Sequence, residues 1–158
     1  MNVASRSFGV AIHYVFPDVF ITMNQKFSDW VKVTLRESAW APLCVMLFYI
    51  FGLAVQLYDL FPVMDIPSHF MGGVAITYFY RSAIRNSRNL LGETPHPIQV
   101  VSAIALTGTT AVFWEFYEFI TDFLLSTNKI RGLEDTLTDL FVGLMGALVF
   151  SLLYKRRD

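Results

Sequence analysis

Apolar residues in this chain gather into long, nearly unbroken runs rather than the alternating or one-faced patterns of a soluble domain. Four runs are long enough to cross a hydrocarbon core of about 30 Å, which takes roughly 20 helical residues. They lie near 40–61, 66–84, 98–125 and 136–154. Two polar stretches separate the later runs: "RNSRNLLGETPHP" at 85–97 and "STNKIRGLED" at 126–135. Ahead of them, residues 8–23 are apolar but contain His13, Pro17 and Asp18. They predict an interfacial or re-entrant segment, with a fifth span as the alternative. Residues 27–37, "FSDWVKVTLRE", predict an amphipathic helix capped by Ser28 and lying on the membrane. The expected fold is therefore all-α. An N-terminal interfacial and amphipathic segment, 1–38, precedes a polytopic transmembrane bundle of four helices, 39–158.

Composition strengthens this picture. The chain is 54% hydrophobic and only 16% charged, against about 45–50% and about 25% for an average soluble domain. A net charge of −1 with no basic, aromatic-interleaved stripe argues against a nucleic-acid partner. Cys44 is the sole cysteine, which rules out an intramolecular disulfide or a CxxC metal site. Residues 8–16 do not make a convincing secretory signal: His13 interrupts them and no small-x-small cleavage site follows.

Lysine and arginine give an orientation. Arg6, Lys26, Lys32, Arg36, Arg81, Arg85, Arg88, Lys155, Arg156 and Arg157 fall on one side of the four spans. Only Lys129 and Arg131 fall on the other. By the positive-inside rule both termini are expected in the cytoplasm.

On that topology the acids collect at the outer face. Asp59 ends the first span and Asp65 opens the second, with His69 four residues on. Glu115, Glu118 and Asp122 share one stripe of the third span, at i, i+3 and i+7. Glu134, Asp135 and Asp139 open the fourth. Asp65 and Asp135 also suit helix N-caps, and Asp59 and Glu134 suit solvated loops. The third-span acids resist so plain a reading. A carboxylate at the centre of a bilayer costs roughly 2.5–3.5 kcal/mol, and these three repel one another near the negative end of their helix. A bound cation, shared protons or a buried arginine would relieve them. A divalent metal fits best, with Asp65, His69, Glu115, Glu118, Asp122, Asp135 and Asp139 as candidate ligands. An imidazole among carboxylates suits Zn, Mn or Fe, and carboxylates alone suit Mg or Ca. Seven candidates leave two metals, or one metal with catalytic acids, both open.

Three stretches, "DIPSHFMGG", "WEFYEFITD" and "EDTLTDLFVGLMGAL", resemble the YjdF-like small inner-membrane proteins of bacteria and, more loosely, the VanZ-like proteins. The YjdF-like pattern falls on Asp65, His69, Glu115, Glu118, Asp135, Thr136 and Asp139. The VanZ-like pattern would add an arginine ahead of the last aspartate, which Arg131 matches. The resemblance covers roughly residues 65–150. It implies the bacterial inner membrane and a site at these positions, without a substrate.

Two functions follow as expectations. One is a metal-dependent membrane enzyme acting on a lipid or cell-envelope substrate. In it Glu118 would be the general base, and Arg131 or Lys129 would hold an anionic headgroup. The other is a non-enzymatic ion- or proton-binding transport component, or an accessory subunit of a membrane complex. Membrane lipid is the expected partner, with a second copy or another membrane subunit completing so small a bundle.

Overall fold

Inside a bilayer the backbone has no water to bond, so an apolar run must close its hydrogen bonds within a helix. The computed structural model describes residues 17–154, and among them there is no strand. Its helices are α1 (Pro17–Ser38), α2 (Trp40–Ala54), the single turn α3 (Leu57–Leu60), α4 (Asp65–Asn86), the short α5 (Arg88–Leu91), α6 (His96–Leu125) and α7 (Leu133–Leu153). A 3-10 turn, Pro62–Met64, leads into α4. The expectations for residues 8–16, with His13, and for the basic residues 155–157 lie outside the described residues.

Three expected spans match helices closely, since 66–84, 98–125 and 136–154 are the cores of α4, α6 and α7. The first differs. The run at 40–61 stops being one helix at Ala54, after 15 residues, or about 22 Å. Gln56 then takes a left-handed conformation (φ 57°) and polar Gln56 and Asp59 precede Pro62. By length and apolarity alone, α6 and α7 qualify as membrane spans, and α1 with α2 makes a third if the bent pair counts as one. The count of four is therefore not reached on those grounds. Although α4 is 22 residues long, Asp65, His69, Arg81 and Arg85 dilute its apolarity.

The predicted helix over 27–37 also changes. No cap forms at Ser28, because α1 runs unbroken through it from Pro17. The break comes later, where α1 and α2 meet at 56°. Pro42 explains it: a helical Pro42 would donate to Ser38 O, and proline has no N–H and crowds that carbonyl. The Ser38 hydroxyl adds to the bend by donating to Thr34 O at 2.8 Å.

Helix α4 is the centre of the molecule, packing most extensively on α7 and then on α6, α2 and α1. The interior is built from small residues. Among the described residues the buried apolar side chains are all alanines (Ala41, Ala75, Ala83, Ala103 and Ala147), while phenylalanines and leucines cover the outside. A water-soluble core is the reverse of this, and lipid-facing bundles pack this way. Glycine sets the α4–α7 distance: a Cβ on Gly73 would strike the Gly143 carbonyl, and one on Gly146 the Phe70 carbonyl. Between α4 and α6 the buried hydroxyls of Thr77 and Thr107 meet at 2.9 Å.

Candidate metal centre

The close α4–α7 crossing brings the N-terminal end of α4 against the first turns of α7. One helical turn separates Asp65 from His69, so both face the same way, and His69 Nε2 lies 3.5 Å from Asp65 Oδ1. From α7, Asp139 brings Oδ2 within 3.9 Å of the same nitrogen. Glu115 and Glu118 reach His69 from α6. Two overlapping triads result, Asp65–His69–Asp139 and His69–Glu115–Glu118, each with ligand atoms within 4.8 Å of one another. The two triads share His69.

Burial makes this centre demanding. Glu115, Glu118 and Asp139 are 7%, 6% and 4% exposed, so water can satisfy little of their charge. Neither carboxylate oxygen of Glu115 has a hydrogen-bond partner among the described residues, although both are enclosed. The Thr136 side chain is a polar neighbour but falls short of that geometry. A buried acceptor left unmade costs about 1–3 kcal/mol, and more when charged. The donor set suits a borderline divalent ion, with one imidazole and up to four carboxylates. Ligand atoms sharing one ion sit about 3–4 Å apart, so the widest pairs would have to close by about 1–2 Å.

Other expected members do different work. Asp65 is the first residue of α4, not its N-cap, and Arg131 donates to its Oδ2. Asp135 accepts the Arg131 backbone N–H at 3.0 Å and lies 3.4 Å from its guanidinium. Asp122 turns away from the centre altogether. Its oxygens accept from the backbone N–H groups of Lys129 and Ile130, both at 2.8 Å, and from the Thr127 hydroxyl. Asp122 and Asp135 therefore shape the loop 126–132 and join neither triad. Asp59 and Glu134 are exposed, and His96 meets Arg81 at 3.2 Å, far along α4 from His69.

A pocket of about 340 Å³ opens beside the centre. Asp65 and Glu118 line it, with Tyr49, Gln56, Lys129 and Arg131. Sequence reasoning missed Tyr49, whose hydroxyl accepts from Lys129 Nζ at 2.7 Å and whose ring stacks edge-on against Trp114. Its one signal was a hydroxyl standing inside the apolar run "MLFYIFGL".

Comparison with known proteins agrees with the membrane reading. The family model described as "Predicted membrane protein (DUF2238)" matches residues 6–158. An uncharacterized protein of Thermotoga maritima is 31% identical over 135 residues, covering 85% of this chain and 66% of that one. The chain thus spans about two-thirds of that relative's length. No solved structure matches. With its apolar helices, small-residue core and a match over nearly its whole length, the chain belongs to the DUF2238 family of predicted membrane proteins.

Proposed function

We propose that this protein holds a divalent cation between α4, α6 and α7, with His69, Glu115, Glu118, Asp139 and Asp65 as its ligands. The observation that carries the reading is Glu115, a carboxylate 7% exposed whose two oxygens have no hydrogen-bond partner among the described residues. A cation would satisfy both and offset the repulsion among four acids around one imidazole. Zn, Mn or Fe suits these donors better than Mg. The ion's chemistry would be that of a Lewis acid or a water activator, acting on a lipid or envelope substrate.

In this reading the protein is multi-pass in the bacterial inner membrane, with both termini cytoplasmic. Helices α4, α6 and α7 cross fully. Helix α2 makes a fourth crossing with the turns that follow it, and α1 leans at the basic end. The excess of lysine and arginine at one end supports that orientation, and the YjdF-like resemblance agrees with it. A C-terminal reporter fusion with periplasmic-type activity would reverse it.

Elemental analysis of the full chain in detergent, stripped and reloaded, tests the centre. Wild type should retain a stoichiometric metal, with Glu115→Gln and His69→Ala losing it and Asp59→Asn keeping it. Equal metal in wild type and both ligand variants would leave a proton-sharing network in its place.

A further inference from the structure

We infer that the pocket beside the centre is a binding site for a phosphate-bearing anion, held by Lys129 and Arg131. The inference rests on the cation reading for its floor but on separate residues for its walls. Lys129 forms no ion pair with any described carboxylate. Its ammonium donates to Tyr49 Oη and stands 5.1 Å above that ring, which leaves further N–H donors. Arg131 uses Nη2 for both Asp65 and Asp135. Its Nε and Nη1 make no hydrogen bond to a described residue, and its side chain is 34% exposed. Gln56 and Asn128 add amides at the rim.

Beside the acids Asp59, Asp65 and Glu118, the pocket's unused donors match a ligand rich in acceptors. A phosphate group offers several oxygens in a tetrahedron, so different oxygens could meet Lys129, the guanidinium and a cation held by Glu118. A carboxylate offers only two oxygens to the same three groups. The loop is also fixed in advance. Asp122 binds the backbone N–H groups of Lys129 and Ile130, and Asp65 and Asp135 clamp Arg131 from two sides. Preset donors lose little freedom on binding, which favours affinity. The pocket lies where helix ends and loop meet, which in the proposed topology is the level of lipid headgroups. A phospholipid headgroup and a free phosphate are the two sources of this chemistry.

The test uses full-length protein in detergent, cation-loaded and stripped, with metal content measured on each sample. Inorganic phosphate and short-chain phosphatidic acid are titrated against thermal unfolding, with short-chain diacylglycerol, which lacks phosphate, as the lipid control. Wild type should be stabilised by phosphate or by phosphatidic acid. Lys129→Met should bind about tenfold more weakly, the loss of one charge-assisted hydrogen bond, while retaining its metal. Tighter binding of phosphatidic acid than of phosphate assigns the lipid source; equal binding assigns the phosphate group alone. If wild type holds metal and neither probe stabilises it more than Lys129→Met, the pocket proposal is overturned and the cation site stands. If wild type holds no metal yet Lys129 governs phosphate binding, the cation reading fails and the pocket stands.

Discussion

The two ends of α4 carry polar clusters of opposite character. At its C-terminal end, Glu37 of α1 accepts from Arg85 at 2.7 Å, from Asn86 at 3.0 Å and from Ser82 at 3.3 Å. Trp30 donates to the Ala83 carbonyl beside them. One acid meets one arginine and two neutral donors, and the cluster is complete. At the N-terminal end, Asp65, Glu115, Glu118 and Asp139 surround one histidine and leave oxygens unbonded. A satisfied cluster has done its work once it has docked α1. An unsatisfied one, buried deeper, holds a demand that the protein itself does not meet, and intramembrane ionisable groups of that kind are functional candidates by default.

The comparison breaks most sharply if the ends cannot be held at their present distance from α7. Gly73→Val should cost roughly 3 kcal/mol or prevent assembly, because its Cβ would enter the Gly143 carbonyl. Chemical unfolding in detergent would read this. A near-native midpoint would mean that α4 and α7 do not pack as described.

Next in size, and opposite in sign, is Glu115→Gln. In stripped protein it should raise stability by about 1–3 kcal/mol, since a buried uncompensated charge is removed. With cation present the order should reverse, because only wild type gains from binding. Midpoints measured with and without the ion decide it, and an unchanged order would place Glu115 outside the site.

Asp122→Ala should cost about 1–2 kcal/mol by leaving the Lys129 and Ile130 backbone N–H groups without their carboxylate acceptors, with metal content unchanged. Loss of metal here would return Asp122 to the ligand set. The smallest effect belongs to the complete cluster: Glu37→Gln should cost less than about 1 kcal/mol, its ion pair being substantially exposed. High salt should shrink that difference further.

Much of this was legible from spacing. Asp65 and His69 at i and i+4, and Glu115 and Glu118 at i and i+3, had to share helical faces, and Asp139 follows Gly132 by two turns into the last apolar run. Asp122 lies on the same stripe, so periodicity alone included it. What periodicity cannot report is how the chain leaves a helix. Ser126 turns left-handed (φ 54°), which folds the next residues back and delivers two N–H groups to Asp122. Asp135 is similar, claimed by an arginine four residues earlier. The end of α2 escaped for a related reason. Hydropathy continues through Leu57, Leu60 and Phe61, yet Gln56 and Pro62 decide the backbone there.

The Thr77–Thr107 contact works as a ruler. His69 stands eight residues before Thr77 (77 − 69 = 8), and Glu115 eight after Thr107 (115 − 107 = 8). Helices α4 and α6 run in opposite directions, so both steps travel the same way along the bundle, about 12 Å each. Two hydroxyls in the middle of an apolar interior thereby fix which acid arrives opposite the imidazole. A slip of α6 by one turn, about 5.4 Å, would bring Ala111 or Phe119 level with His69 instead. The alignment of the centre is thus written into the sequence twelve ångströms or so from any atom that would touch the ion.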